Sequence, residues 1–450
     1  MQDVSLEKIV SLAKRRGFIF PGSEIYGGLA GTWDYGPYGV ALKQHIKDSW
    51  WRHFVSSRED VYGVDTAILM NEKVWEASGH TGAGFVDPMV EDLKTQKRYR
   101  ADHLLEEHGI EAEEMSLEEM TQQIQEKGIL SPDGNQLSDV RQFNLMFKTE
   151  VGALGGQYSY LRPETAQGMF VNFKNIVDTM RPRLPFGIAQ IGKSFRNEIT
   201  PRDFIFRLRE LEIMEFEYFV RSEEWEAHFE TLLEDMQSWF ESIGVDPKKI
   251  TRLEVPEQDR AHYSKRTVDF EFAFPFGVKE LYGLAYRTDF DLKNHSKHSG
   301  TDLVYRDPIT NEVLTPHVIE PTFGVERTML ALLCSAYQID TSGEEERVYL
   351  AFPKHIAPVR AMVAPLLKNK PELVEKAREI FSTLKNEYGN VVFDDNGNIG
   401  KRYRRQDEIG TPFCITIDFE TLEDESVTVR DRDTGEQRRV AVEKLIEEVS

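Results

Sequence analysis

Three stretches of this chain set arginines and carboxylates where they could meet one substrate. The first runs Gly192-Lys-Ser-Phe-Arg-Asn-Glu198, passes through the charged loop Ile199-Thr-Pro-Arg-Asp-Phe-Ile-Phe-Arg207, and returns as Leu208-Arg-Glu-Leu-Glu-Ile-Met-Glu-Phe-Glu217. Side chains alternate between the faces of a strand, so Arg196 and Glu198 share one face, and Leu211, Ile213, Glu215 and Glu217 share a face of the returning strand. The second stretch, Tyr160-Leu-Arg-Pro-Glu-Thr-Ala-Gln-Gly168, offers Arg162 and Glu164 in a strand-to-helix turn. The third, Pro316-His-Val-Ile-Glu-Pro-Thr-Phe-Gly-Val-Glu-Arg327, places Gly324 and Arg327 where an apolar helix begins. Arginines and carboxylates then face one cleft, and a guanidinium fork suits phosphate better than a lysine does. Taken singly, the same charges also describe a salt-bridged hairpin on a solvated sheet. Gly187-Ile-Ala-Gln-Ile-Gly-Lys-Ser194 matches the phosphate-loop expression, but such a loop opens a helix. Here the spacer is apolar and Pro201 follows shortly, so we read a strand and set a P-loop ATPase aside.

The elements that must hold these residues are legible in outline. Segments around 188–190 and 211–219 form a long hairpin, a helix follows over 223–243, and 268–292 alternates as strands. A short hairpin at 303–305 and 313–314 precedes a buried helix over 328–337. Upstream, the Gly- and Pro-containing turn Gly31-Thr-Trp-Asp-Tyr-Gly-Pro-Tyr-Gly39 feeds a helix whose Leu42, Ile46, Trp50 and Phe54 recur at helical spacing. After a polar linker at 341–346 the order becomes strand 348–352, helix 372–388, strands 391–393 and 413–418, then a meander turning at Asp433-Thr-Gly435. This order predicts a small α/β domain.

Composition narrows the class. Of 450 residues, 55 are basic and 77 acidic, a net charge of −22, and 40% are hydrophobic, too many for a disordered chain. No apolar run reaches the roughly 18 residues of a membrane span. The first 18 residues read as an amphipathic helix rather than a leader, so we expect a soluble, cytoplasmic protein with no membrane partner. The charge argues against indiscriminate binding to nucleic acid but leaves room for a local basic patch. Ten of the 22 net negative charges fall within 101–140, an acidic module with helix over 101–130 that ends at the turn Ser131-Pro-Asp-Gly-Asn135. Cys334 and Cys414 make neither a disulfide framework nor a zinc site and read as core residues.

Together the three charged stretches resemble motifs 2 and 3 of the class II aminoacyl-tRNA synthetases, and their wording is similar to the glycyl-tRNA synthetases of the homodimeric type. The resemblance extends through Gly31-Thr-Trp-Asp-Tyr-Gly-Pro37, Trp75-Glu-Ala-Ser-Gly-His80, Arg100-Ala-Asp-His103, Arg287-Thr-Asp-Phe-Asp-Leu292 and Ile399-Gly-Lys-Arg-Tyr-Arg-Arg405. It implies an α+β fold: a class II antiparallel-sheet catalytic core over 1–340, with an acidic helical insertion at about 91–150, and a C-terminal α/β anticodon-binding domain over 348–450. The implied activity is ATP-dependent attachment of glycine to tRNA(Gly) through a glycyl-adenylate. The implied partners are glycine, ATP with Mg2+, tRNA(Gly) and a second copy of the chain.

The resemblance also implies roles. Arg196 and Arg327 would be catalytic, gripping phosphates and the glycine carboxylate. Asn197, Glu198, Phe206, Arg207, Leu208, Arg209, Glu210, Leu211, Leu281, Gly324, Val325 and Glu326 would complete the ATP shell, with Glu280 taking magnesium or contacting ATP. Glu164, Glu215 and Glu320 would surround the glycine ammonium and Thr322 would close over the α-carbon. Arg100, Leu211, Glu212, Ile213, Met214, Pro321, Phe323 and Gly324 would line the same pocket. Lys401, Arg402, Arg404 and Arg405 would contact tRNA, and the helix from Leu42 to Phe54 would bury its apolar face against its copy in a twofold dimer. The chain departs from the family at Leu211, where Phe is usual, at Asp203, at Thr322 and at Glu72. Asp92 and Thr95 stand where some relatives carry a cysteine pair, so no zinc site is expected. The competing class is a synthetase-like RNA-binding protein that has lost catalysis.

Overall fold

The computed structural model describes residues 4–82, 85–112, 115–153, 156, 158–342 and 346–450. Its centre is a seven-stranded sheet in the order Ile250–Glu254, Arg266–Phe274, Gly277–Thr288, His317–Gly324, Glu210–Val220, Phe186–Phe195, Val61–Gly63. All neighbours are antiparallel except the last pair. The candidate phosphate loop 187–194 lies inside Phe186–Phe195, a strand, as its apolar spacer requires. Stretch 268–292 is two strands, but 290 onward is the helix Phe290–Ser299.

Alternation divides the sheet into a dry face and a charged face. Met214, Phe216, Phe270, Phe272 and Phe323 point to the dry face, where helices Pro37–Trp51, Trp225–Ser242 and Val325–Ala336 cover them. Pro37 opens the first of these helices at a position whose N–H would be unpaired in any case. Leu42, Ile46, Trp50 and Phe54 are fully buried in this core. Their stripe therefore packs within its own subunit, which corrects the expectation that it faces a second copy. Helical spacing reveals a buried face without revealing which chain buries it.

Around 91–150 the insertion, expected as helical, holds strands as well as helices. Val86–Glu91 pairs with Arg98–Arg100 and Arg141–Asn144, and helices Ala101–Glu107 and Leu117–Glu126 pack on it. Glu113 and Glu114 of the acidic module lie outside the described residues. The buried Asp92 carboxylate accepts from the Lys94 and Thr95 backbone N–H groups (2.9 and 2.8 Å), from Ser131 Oγ (2.6 Å) and from Asn135 Nδ2 (3.0 Å). Burial opposes its charge, but these donors hold the carboxyl well below the usual range. One anion thus ties together two loops.

The C-terminal unit is a five-stranded sheet ordered Val391–Phe393, Ala361–Pro365, Phe413–Ile417, Ser426–Asp431, Gln437–Ala441, parallel in its first three strands and antiparallel beyond. Its helices Pro371–Tyr388 and Ile399–Ile409 flank it. The predicted strand at 348–352 belongs elsewhere: Arg347–Leu350 pairs with Tyr337–Asp340, and Phe352, Ile356 and Ala357 enter the core of the large sheet. The unit's own first strand, Ala361–Pro365, escaped the sequence reading. The polar linker at 341–346 lies partly outside the described residues.

Candidate active site

The charged face of the large sheet carries two joined cavities. The hairpin of Phe186–Phe195 and Glu210–Val220 supplies the floor, and strands Gly277–Thr288 and His317–Gly324 extend it. Gly31 braces the mouth of the hairpin. Its carbonyl accepts the Arg209 N–H at 2.9 Å, its φ is +75°, and a Cβ there would lie 2.6 Å from Pro201.

The first cavity, about 300 Å³, is lined by cations and apolar surface: Arg196, Arg207, Arg327, Phe206, Leu208, Leu211, Leu281 and Gly324, with Glu198 and Glu280 at its edge. The Arg327 guanidinium lies 4.3 Å over the Phe206 ring and 3.1 Å from Glu280. Glu198 and Arg207 face each other at 3.7 Å. The second cavity, about 240 Å³, is lined by Glu164, Glu215, Glu320, Ile213, Asp269 and Thr322. Arg196, Ile213, Glu280 and Thr322 border both. Arg196 is held there by its Nε donating to the Pro163 carbonyl at 3.1 Å.

The acidic cavity is wired tightly. Glu215 accepts from Thr165 Oγ1 at 2.6 Å and from Thr322 Oγ1 at 2.8 Å. Glu320 accepts from Arg287 Nη1 at 2.8 Å, while Arg287 spends its other donors on Asp291 at 2.8 and 2.9 Å. Glu164 lies 3.2 Å from His80 Nε2 and accepts from Gln167 at 2.9 Å. Burial disfavours charge on all of these carboxyls, and their partners decide the outcome. His80 and Arg287 draw Glu164 far below its ordinary range. Burial and the charge of Glu164 raise Glu215, and burial lifts Glu320 to about 8 despite Arg287. Next to the joining wall, burial and the charges of Glu280 and Glu271 raise Asp269 to about 7, whereas Arg327 lowers Glu280.

Several expected residues do not reach these cavities. Glu212 and Met214 project from the opposite face of their strand: Glu212 meets Lys43 and Lys47, both at 2.9 Å, and Met214 is core. Phe323 and Val325 are also core, and Pro321 lies on the same side as Phe323. Glu326 touches the edge of the first cavity, but its carboxylate is taken by Lys43 (2.6 Å) and by the Glu212 N–H (2.9 Å). Glu210 pairs with Lys193 at the rim, Arg209 straps the loop through the carbonyls of Ala30 and Glu198, and Asn197 is tied by its backbone to Leu145. Arg100 stays in the insertion, paired with Asp87 and Asp102. Arg287, Asp291, His80, Gln167, Thr165 and Asp269 were not assigned roles from sequence. Arg287 and Asp291 sit four apart across a strand-to-helix junction, a spacing that could have flagged them.

The basic cluster of the C-terminal unit divides likewise. Arg402 is only 1% exposed and donates to the carbonyls of Pro365, Asp395 and Gly397. Arg405 forks onto Asp394. The burial of Arg402 corrects its assignment to tRNA, Arg405 is partly exposed beside its pair, and Lys401 and Arg404 are exposed.

Comparison with known proteins agrees with this architecture. Residues 147–336 match the family model described as tRNA synthetase class II core domain (G, H, P, S and T), and 360–450 match the anticodon binding domain. The chain is 50% identical to a glycine–tRNA ligase of Alkaliphilus metalliredigens and 49% identical to one of Staphylococcus haemolyticus, covering 98% of this chain and 97% of each relative. Among solved structures, a Giardia lamblia prolyl-tRNA synthetase in complex with prolyl-adenylate superposes with a TM-score of 0.66 at 17% identity, over 98% of this chain and 77% of that one. That likeness concerns fold alone.

Proposed function

This chain belongs to the glycine–tRNA ligases, class II aminoacyl-tRNA synthetases, and from that premise we propose how its cleft divides the work. It is an enzyme that joins glycine to tRNA with ATP as the second substrate. In our reading the cationic cavity takes ATP, the acidic cavity takes the glycine ammonium, and the glycine carboxylate attacks the α-phosphate beside Arg196. The observation that carries this reading is the position of Arg196 on the wall common to both cavities. Two anions must approach there, and a fixed fork can neutralise both without a general base. Orientation of the pair supplies roughly 7–11 kcal/mol of such barriers. Adenine fits between the Arg327–Phe206 stack and Leu211.

Glycine offers no side chain, so its selection rests on the ammonium and on exclusion of anything larger. Glu164, Glu215 and Glu320 supply acceptors, and Thr322, anchored on Glu215, closes the wall. A Cβ forced against that wall costs about 1–3 kcal/mol.

Magnesium fits beside the joining wall, because Glu280 on that wall and Asp269 next to it in the acidic cavity are oxygen donors, and burial, then the charge of Glu280, raise Asp269. When bound, it would offset charge on the departing pyrophosphate. Lys401 and Arg404 are the exposed cations we assign to tRNA phosphates. For the dimer, Ile25 (89% exposed), Tyr26 (87%) and Leu29 (59%) form an apolar patch suited to a second copy. Sedimentation at micromolar concentration giving 52.0 kDa would remove that assembly. No helix among the described residues is long and apolar enough to cross a membrane. The cytoplasm, where tRNA and ATP are found, is the compartment we assign.

Glycine-dependent exchange of pyrophosphate into ATP tests the reading. We expect exchange with glycine and none without it. Absence of exchange at saturating glycine would favour a catalytically inactive RNA-binding relative, although nothing in the cleft favours that alternative.

A further inference from the structure

Beneath the acidic cavity lies a carboxyl with no role in the scheme above. Glu217 is completely buried, and neither of its oxygens has a hydrogen-bond partner among the described residues. It points to the same face as Glu215, two residues earlier on the strand. The register that pairs Glu215 with Thr322 and Tyr218 with Ile319 sets Glu217 directly opposite Glu320. One oxygen from each of Glu215, Glu217 and Glu320 lies within 4.8 Å of the others.

The donors in reach are already used. Glu215 holds the hydroxyls of Thr165 and Thr322, and Glu320 holds one arm of Arg287, whose remaining arms are on Asp291. An ionised Glu217 would face two carboxylates in a dry site with no N–H or O–H of its own, and like charges directly across a ladder destabilise it. A protonated Glu217 reverses the sign of the problem, because it brings a donor to a place crowded with acceptors.

We propose that Glu217 is a positioning residue for glycine, kept as a neutral carboxylic acid under the ammonium seat, where its one O–H donates to a neighbouring carboxylate, Glu215 or Glu320, and adds no third negative charge to the cluster. The charged groups facing it are Glu215 on its own strand, Glu320 on the neighbouring strand, and Arg287 and Asp291 at the next strand's end. Burial, then the charge of Glu320, push the Glu217 carboxyl well above the ordinary glutamate range, with Arg287 opposing them in part. A neutral acid here lets its two neighbours stay acceptors for an incoming ammonium. The inference rests on the glycine-pocket reading and deepens it.

Infrared spectroscopy of the full-length protein at pH 8 reads the protonation state directly. Because Glu320 also holds protons near this pH, the reading is the difference spectrum, wild type minus Glu217→Gln: we expect a protonated-carboxyl band in that difference, and a difference spectrum without one overturns the proposal. Pyrophosphate exchange reads the consequence. Glu217→Leu, which removes the donor, should raise the glycine KM at least about tenfold and leave the ATP KM within about threefold, and Glu217→Gln, which keeps a neutral donor, should recover most of that loss. A Gln variant as poor as Leu would mean that an anion is needed, and a Leu variant as good as wild type would mean that the position is idle; either overturns the proposal. Should the Leu variant fail to fold, the infrared band and the Gln variant still decide. Exchange that does not depend on glycine would end the pocket reading while leaving the infrared result to stand alone.

Discussion

In the C-terminal unit the arginines meet their counterparts inside the fold, whereas in the cleft the acids outnumber the cations beside them. Arg430 forks onto Asp407 at 2.8 and 3.0 Å, Arg439 binds Asp418 and Asp424, and Arg432 reaches the carbonyls of Gly410 and Phe352. Across the molecule, Glu215, Glu217 and Glu320 have one cationic arm, that of Arg287, between them among the described residues, and burial and the charge of Glu280 raise Asp269. The same residue types thus produce closed pairs in one region and a standing imbalance in the other. A closed pair stabilises a fold; an imbalance is completed by a ligand of opposite charge. A cluster of charges in a sequence therefore signals binding only when its partners are missing from the structure.

The largest consequence is a difference in the response to pH above the ordinary carboxylate range, since below it the lowered Glu164, Asp92 and Glu280 make the large unit acid-sensitive as well. Folding raises the cleft acids, Glu320 to about 8 and Asp269 to about 7, so the folded large unit holds protons that the unfolded chain gives up. Its stability should fall as pH rises from the ordinary carboxylate range through about 8, by on the order of a few kcal/mol. In the C-terminal unit, burial opposes the charge of Asp418 and Asp431, but Arg439 lowers the first and backbone donors lower the second. That stability is present above the ordinary range and is lost on acidification. All six tryptophans lie in the first 240 residues, so their fluorescence follows the large unit while circular dichroism follows both. Parallel pH profiles from the two probes would erase the contrast.

Arg402→Met attacks the closed pairs. It strands the carbonyls of Pro365, Asp395 and Gly397, and at about 1–3 kcal/mol for each unsatisfied group it should cost roughly 3 kcal/mol or more in the C-terminal unit. Chemical denaturation measures the loss. Glycine-dependent exchange should persist, since the cleft is built from other strands. An Arg402→Met protein of unchanged stability but weaker tRNA affinity would return this arginine to the phosphate contacts.

What the sequence disclosed follows the range of the interactions. The hairpin of Phe186–Phe195 and Glu210–Val220 was legible because a long alternating strand carries its own signal, and with it came the shared face of Leu211, Ile213 and Glu215. The register of Glu217 against Glu320 was not legible, because those strands are joined through nearly a hundred residues and pairing between them is set by packing. Arg402 and Arg404 look alike in a row of basic residues; only the fold shows that one is buried against three carbonyls. Short apolar Ala361–Pro365 ends in proline and lacks alternation, so its place at the centre of a parallel sheet was hidden. In contrast, Gly31 and Arg209 were found only as a resemblance, and their mutual contact supplies the physical reason for the motif.

Arg196→Lys sharpens the cleft side of the comparison. The charge is kept, but the planar fork and the bond to the Pro163 carbonyl are lost. Adenylate formation should slow at least tenfold, about 1.4 kcal/mol, as measured by exchange at saturating substrates. Lys401→Ala with Arg404→Ala tests the exposed remainder of the basic cluster. If both meet phosphate, the salt dependence of tRNA binding should become shallower by about 0.7 per contact. An unchanged slope would place the contact surface elsewhere.

The smallest effect concerns Leu211, where the family resemblance leads us to expect Phe. Its side chain lines the cationic cavity with Phe206 and Arg327 while also resting on the core behind the sheet. An adenine ring held there gains apolar contact from leucine but no π face. Leu211→Phe should tighten ATP binding by roughly 0.5–1.5 kcal/mol, the increment for an aromatic pair. Glycine affinity should hardly move, because Glu215 lies further along the strand and is fixed by its own two hydroxyls. The contact with the core supplies the competing outcome: a ring that turns inward overpacks and destabilises by about 1–3 kcal/mol. The ATP KM and the melting temperature, measured together, separate the two. A lower KM at an unchanged Tm places position 211 under the base, and a higher KM with a lower Tm makes it a core residue that happens to border the cavity.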